Sequence, residues 1–278
     1  MNLAVSPNGA QLATVGQDCQ IALWNIADGL LQHRMVVGDN WVEHVAWSKS
    51  GNQLAVSSGR VVTILSSSGE KIWSSENHPS TVSALGWVTD QELSTACYGR
   101  VTFFDIVSAQ ESERLVWRGS LVSLALSPEG NIVACGSQDK SVHFWRRSSG
   151  QDSMMEGYAS KPSALAFSKD GSLLATGGGE HITVWSFDGG GPEGTTPGVL
   201  EFHKALVSSL AFSQRKRRLA SGSLDCAVVV WELRKTGSGR VVGKALATGS
   251  VEKVYWHPDG RSLAAIDAGG GVTVWQVL

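Results

Sequence analysis

The chain has 278 residues, with 25 acidic against 23 basic side chains, a formal net charge of -2 and 42% hydrophobic residues. That balance excludes a global electrostatic pull toward nucleic acid or an anionic membrane. The length exceeds an ordinary single domain and calls for either two domains or one repeat architecture.

Taken in chain order, one pattern recurs seven times: an alternating apolar strand, a tight turn, a second strand rich in small residues, another turn, and an apolar strand closed by a bulky side chain. The first turns read SPNG (6–9), SKSG (48–51), VTD (88–90), SPEG (127–130), SKDG (168–171), SQRK (213–216) and HPDG (257–260). Gly with Asp or Asn supplies the bend such hairpins need. The strands that follow close at Trp24, Leu65, Phe104, Trp145, Trp185, Trp231 and Trp275, at separations of 41, 39, 41, 40, 46 and 44 residues. A period near 40 predicts four-stranded units. Stretches such as Val142–Phe144 and Ile182–Val184 alternate with period 2 and no long helical periodicity occurs, so each unit is expected to be an antiparallel meander. The repeats fall at about 1–37, 38–77, 78–117, 118–158, 159–199, 200–247 and 248–278. Since one such sheet cannot cover both of its apolar faces, stacking should join them into a single domain over 1–278. Trp47, Trp87, Phe167, Phe212 and Trp256 share one position on the first strand of their repeats and are expected to pack between sheets.

The segments LATVGQDCQIALW, VACGSQDKSVHFW, LASGSLDCAVVVW and LAAIDAGGGVTVW, at matching spacing, resemble the WD-repeat family over essentially the whole chain. The dipeptide Trp-Asp itself never occurs: the closing residues are followed by Asn25, Ser66, Asp105, Arg146, Ser186, Glu232 and Gln276. The resemblance implies an all-β, seven-bladed β-propeller. The family closes its ring with an N-terminal strand that completes the last blade. No sequence for that strand precedes Val5, so the last blade is expected to lack it and to leave an edge at Val272, Thr273 and Val274. Such an edge invites strand addition by a partner.

The resemblance also implies a polar clasp within each blade, from a His before the first strand, a hydroxyl on the second, an Asp in the next turn and the closing Trp. Only His203, Ser221, Asp225 and Trp231 supply all four. The same three polar residue types make a hydrolytic triad, but blade stability explains them without chemistry. Thr14, Asp18 and Trp24 form a partial set, as do Asp139 and Trp145 with Cys135 at the hydroxyl position. Three repeats shorten the second turn and lack its Asp, around Arg60, Arg100 and Glu180. Their turns offer Arg60, Tyr98, Arg100 and His181 at a rim, free for recognition.

In the family the frequent docking face carries the entries to the first strands and the turns between second and third strands. Carried onto this chain, those positions give Trp41, Glu43, Arg60, Tyr98, Arg100, Lys161, His181, Leu206, Leu224 and Glu252 as candidate partner-binding residues. Trp41 leads them, because an amphipathic ring at a surface position is the side chain that most often dominates binding energy.

The remaining motifs exclude more than they suggest. Arg215, Lys216, Arg217 and Arg218 form a short basic run in a first hairpin turn, without the aromatic interleaving that single-stranded nucleic acid requires. The insertion FDGGGPEGTTPGV (187–199) lacks the Lys-Ser/Thr of a phosphate-cradling loop and accounts for the 46-residue separation. No metal-ligand spacing occurs, and no metal or cofactor is expected. Cys19, Cys97, Cys135 and Cys226 form no CxxC pair, which argues for a reducing compartment. The opening MNLAVSPNGAQ is no signal peptide and no apolar run reaches membrane-spanning length, so a cytoplasmic protein is expected. These readings converge on a non-catalytic protein-interaction scaffold or adaptor. A regulatory propeller of a larger protein and an enzyme centred on the propeller channel remain the alternatives.

Overall fold

Each predicted first turn becomes the first bend of an antiparallel sheet. The computed structural model describes residues 2–277, which fall into two compact units, Met1–Leu124 and Ala125–Leu278. The first unit holds three sheets. They are built from β1 (Asn2–Val5), β2 (Gln11–Val15), β3 (Gln20–Asn25) and β4 (Leu31–Val36); from β5 (Val42–Trp47), β6 (Gln53–Ser58), β7 (Val61–Ser66) and β8 (Lys71–Ser74); and from β9 (Ala84–Trp87), β10 (Glu92–Asp105) and β11 (Gln110–Ser120). The long β10 does the work of two strands. Its first half pairs with β9 (Leu93 opposite Trp87), its second half pairs with β11 (Phe103 opposite Glu113), and it reverses at Gly99, whose φ is +85°.

The second unit holds four sheets. They comprise β12 (Ala125–Leu126), β13 (Ile132–Gly136), β14 (Val142–Arg146) and β15 (Gln151–Met155); β16 (Ala164–Phe167), β17 (Leu173–Gly177), β18 (Ile182–Ser186) and β19 (Gly198–Leu200); β20 (Val207–Phe212), β21 (Arg218–Ser223), β22 (Ala227–Leu233) and β23 (Gly239–Leu246); and β24 (Val251–Trp256), β25 (Ser262–Asp267) and β26 (Val272–Gln276). Among the described residues β26 has no neighbour beyond β25, so the expected edge is present. No helix occurs among the described residues, and therefore none is long and apolar enough to cross a membrane.

The first hairpin turns share one construction, set by two side chains. In SPNG, Gly9 at φ +74° donates its N–H to Ser6 O at 2.8 Å, while Asn8 Oδ1 accepts from Ser6 Oγ and from the Ala10 N–H. In SKDG, Gly171 at φ +71° and Asp170 repeat the arrangement. Glycine reaches positive φ without steric cost, and the short Asn or Asp side chain satisfies the turn's backbone donor. The turn at 213–216 has neither residue. Lys216 stands at the glycine position, Arg215 at the capping position, and the chain instead closes with Arg218 N–H to Lys216 O at 2.7 Å.

Burial runs in a gradient across each sheet. The second and third strands are covered on both faces, as in β6 and β7, whereas fourth strands such as β4 and β23 are largely exposed. Apolar clusters lie between neighbouring sheets of a unit: Leu23, Val45, Trp47 and Leu54 join the first and second sheets, and Val184, Leu210, Phe212 and Trp231 join the fifth and sixth. Truncating a fully buried member such as Leu54 costs about 2–5 kcal/mol through lost transfer energy and the cavity left behind. The expected inter-sheet aromatics also do something more specific. Trp47, Trp87 and Trp256 each donate the indole N–H to a backbone carbonyl of the preceding sheet's first strand, at Ala4 (3.0 Å), Ala46 (3.1 Å) and Ala211 (3.0 Å). Phe167 and Phe212 occupy the same repeat position and contribute packing alone.

Candidate docking surface

In the sixth sheet the four clasp residues meet as the spacing implies. Asp225 is the acceptor for the His203 Nδ1–H at 3.3 Å, so Nε2 accepts from the Ser221 hydroxyl at 2.8 Å, and Ser221 Oγ in turn accepts from the Trp231 indole N–H at 2.9 Å. Asp225 also takes the backbone N–H of Lys204 (2.8 Å) and of Ala227 (2.9 Å). Burial raises the Asp225 carboxyl, but those two amides and His203 outweigh it and hold the group below its ordinary value. Burial pushes His203 down despite the neighbouring carboxylate, which keeps the ring neutral. A Ser–His–Asp row can act as a nucleophile only if its hydroxyl meets a substrate. Ser221 has no exposed surface and its oxygen is already engaged by Trp231. The row is therefore structural.

The partial sets separate. Trp24 donates to Thr14 Oγ1 at 2.9 Å, but Asp18 is confined to its own turn, where it accepts the Gln20 N–H. Asp139 likewise stays within its own turn, where it accepts from the Ser141 N–H and hydroxyl, and burial pushes the Cys135 thiol up. Two networks escaped the sequence reading. In the third sheet His78 donates from Nδ1 to Arg60 O (3.0 Å) and accepts at Nε2 from Thr95 Oγ1 (3.0 Å). In the fifth, Trp185 donates to Tyr158 Oη (3.0 Å), and Tyr158 and Thr176 share a 2.8 Å hydroxyl contact. The signal was present in the spacing, because His203 precedes its hydroxyl partner by 18 residues, Tyr158 by 18 and His78 by 17.

Loops that lead into the first and third strands carry the docking candidates, and hydrogen bonds tie those loops into a row within each unit. In the first unit Ser58 Oγ donates to Asn40 O (2.8 Å), placing Trp41 beside the 58–60 turn. Val82 N–H then donates to Gly59 O (2.9 Å), and Tyr98 N–H to Ser80 Oγ (2.9 Å). Along this row Trp41 is 58% and Tyr98 61% exposed, Glu43 is exposed, and Arg60 is anchored through its Nε to His78 O at 2.6 Å. Arg100 is half-buried beside His78, where its charge adds to burial in lowering that ring's pKa. Trp73, His78, Arg100 and Phe104 line a cleft of about 490 Å³ there.

The second unit builds the equivalent row. Val207 N–H donates to Gly179 O (2.8 Å), Leu224 N–H to Leu206 O (3.0 Å) and Ser250 Oγ to Leu224 O (3.0 Å). Lys161, His181, Leu224 and Glu252 stand exposed along it and Leu206 is half-buried. His181 faces Glu180 at 3.6 Å. Among the described residues no three His, Cys, Asp or Glu side chains come together as a metal site.

These sheets and loop rows define a class. The WD domain, G-beta repeat family (WD40) matches residues 1–25, 114–146, 152–186 and 194–232. A protein chain in the crystal structure of the mitotic checkpoint complex superimposes with a TM-score of 0.86 over 99% of this chain and 86% of that one, at 22% identity, a likeness of fold alone. The fold is that of a seven-bladed β-propeller, each antiparallel sheet being one blade. Among sequence relatives, actin-interacting protein 1 of Caenorhabditis elegans is 26% identical over 99% of this chain and 46% of its own. The WDS homolog of Arabidopsis thaliana is 25% identical over 97% and 54%, and protein HIR1 of Mycosarcoma maydis 27% over 99% and 32%. The chain carries WD40 repeats in those four segments, and it spans about half or less of the length of these curated relatives.

Proposed function

We propose that this chain is a non-catalytic protein-docking module that engages protein partners through the loop row of its first unit, with Trp41, Arg60, Tyr98 and Arg100 making the principal contacts. One observation carries the reading: two large exposed aromatics share a hydrogen-bonded row with two arginines, one of them pinned at its root. Exposed aromatic and arginine side chains on a pre-ordered backbone are the combination that supplies most binding energy at protein interfaces. One relative is named for interaction with actin, and the structural neighbour comes from the mitotic checkpoint complex; for this chain such roles support a scaffold of that general kind. Quantitative affinity capture with the wild type beside a Trp41→Ala, Arg60→Ala, Arg100→Ala variant, both checked for folding, tests it. Loss of the dominant captured protein with the folded variant is expected, and unchanged capture places docking elsewhere.

A second mode has its own observation. The β26 edge presents Val272 and Val274 at 61% and 62% exposure beside unpaired backbone groups, a template for an added strand from a partner protein. A Val274→Pro substitution removes one backbone donor and should abolish partner capture through this edge alone.

A further inference from the structure

The turn at 213–217 has lost both residues that stabilise its counterparts and has gained cations in their places. Where Asn8, Asp170 and Asp259 cap the corresponding turns with a carboxamide or carboxylate oxygen, Arg215 stands. Where Gly9, Gly51, Gly130, Gly171 and Gly260 sit at positive φ, Lys216 stands. The glycine recurs in five of these turns and the Asn or Asp cap in three, and departures from such a local optimum are expected at functional sites.

The neighbouring turn adds to the charge. Lys169, Arg215, Lys216 and Arg217 face a cleft of about 350 Å³ whose only acid is Asp170. Asp170 bonds Arg217 at 3.0 Å and is held well below the usual carboxylate range by the Ser168 hydroxyl, then by Ser172 and Arg217. It therefore stays ionised, orients one guanidinium and leaves three cations without a counter-charge in the cleft. Arg215 is ordered too, its stem packed so closely over Gly260 that a Cβ there would lie 3.1 Å from Arg215 Cγ. This concentration occurs in a chain of net charge -2, so it is not a background of general basicity.

We propose that this cleft receives the phosphate of a phosphoserine or phosphothreonine in a partner protein. A compact dianion fits the three uncompensated cations Lys169, Arg215 and Lys216 gathered around a small cleft, and guanidinium groups bind phosphate oxygens in pairs. A run of glutamates would need its countercharges spread along a groove. Nucleic acid would need exposed aromatic faces for its bases, and Phe212, the one aromatic lining the cleft, is buried. The proposal goes beyond the docking row of the first unit, because it assigns a different recognition chemistry to other residues.

The test is an NMR titration of the full chain with acetyl-Gly-Ser-pSer-Ser-Gly-amide, beside the same peptide carrying Ser or Glu at the centre. Saturable shifts confined to residues 168–171 and 213–218 are expected with the phosphopeptide only. An Arg215→Gln, Lys216→Gln variant, which alters two exposed side chains, should weaken binding by about tenfold or more. The Trp41→Ala variant should bind the phosphopeptide as the wild type does, which separates this site from the docking row. Equal binding of the Glu peptide, absence of shifts at the cleft, or stronger binding of oligo-dT or of phosphatidylserine vesicles would each overturn the proposal.

Discussion

The sixth and third sheets solve the same problem with opposite electrostatics. Both bury a histidine and join its Nε2 to a hydroxyl on the second strand, at 2.8 Å for His203 and Ser221 and 3.0 Å for His78 and Thr95. In the sixth sheet Asp225 faces the other ring nitrogen and Trp231 closes the row. In the third a backbone carbonyl takes the place of Asp225, Phe104 takes the place of Trp231, and Arg60 and Arg100 flank the ring. Losing the turn acid thus leaves the buried ring to be matched by the backbone, with Arg100 half-buried beside it.

The comparison breaks most sharply at the hydroxyl. Ser221→Ala strands two buried groups, His203 Nε2 and the Trp231 indole N–H, and should cost about 2–4 kcal/mol, since each unsatisfied buried polar group costs about 1–3 kcal/mol. Thr95→Val strands only His78 Nε2 and should cost about 1–2 kcal/mol. Equal losses in urea denaturation would show that the fourth member of the clasp contributes nothing.

The acid gives the next largest contrast. Asp225→Ala removes acceptors from His203, Lys204 and Ala227 and is expected to destabilise the fold by about 2 kcal/mol. Asp18→Ala, at the same repeat position but bonded only within its own turn, should stay within about 0.5 kcal/mol. Thermal denaturation of both variants decides it.

These two aspartates also show how far sequence reading reached. The seven hairpins were legible because turn chemistry and period-2 burial are local properties, and the full clasp was legible because all four residue types stood at fixed offsets. Asp18 and Asp225 look alike in sequence, yet among the described residues only the second meets a histidine. Tyr158 was missed for the converse reason: its hydroxyl reaches the place a His would fill, and a search by residue type passes over it. The indole bonds to Ala4, Ala46 and Ala211 were hidden because a backbone acceptor in another sheet leaves no mark in the sequence. Exposure at Trp41 and Tyr98 followed from repeat position, whereas the burial of Arg100 against His78 depended on how tightly β10 reverses.

Acid should separate the two histidines further. Burial lowers both His78 and His203 from the ordinary imidazole value of ~6.5, so below that pH the unfolded chain binds more protons than the folded one, and stability falls as pH drops. Asp225 offsets part of the loss at His203, whereas Arg100 adds to it at His78. Melting curves from pH 7.5 to 5 should therefore fall steadily for the wild type, and His78→Asn should flatten the slope more than His203→Asn does. A wild-type profile that is flat over this range contradicts the neutral, buried state of both rings.

The smallest effect concerns a turn that lacks both the glycine and the capping oxygen of its counterparts. Rebuilding the 213–216 turn with Arg215→Asp and Lys216→Gly restores the capping oxygen and the residue tolerant of positive φ, as in the turn at 168–171. The gain should be about 0.5–1 kcal/mol, because the aspartate satisfies one turn donor and the glycine lets the turn take the positive-φ form of its counterparts. The same variant removes two of the four cations of the cleft and should lose phosphopeptide binding. Higher stability with lost binding would establish that the turn exchanges local order for recognition. A rebuilt turn that is no more stable than the wild type would mean that the bond from Arg218 to Lys216 already serves the backbone as well as the glycine turn does.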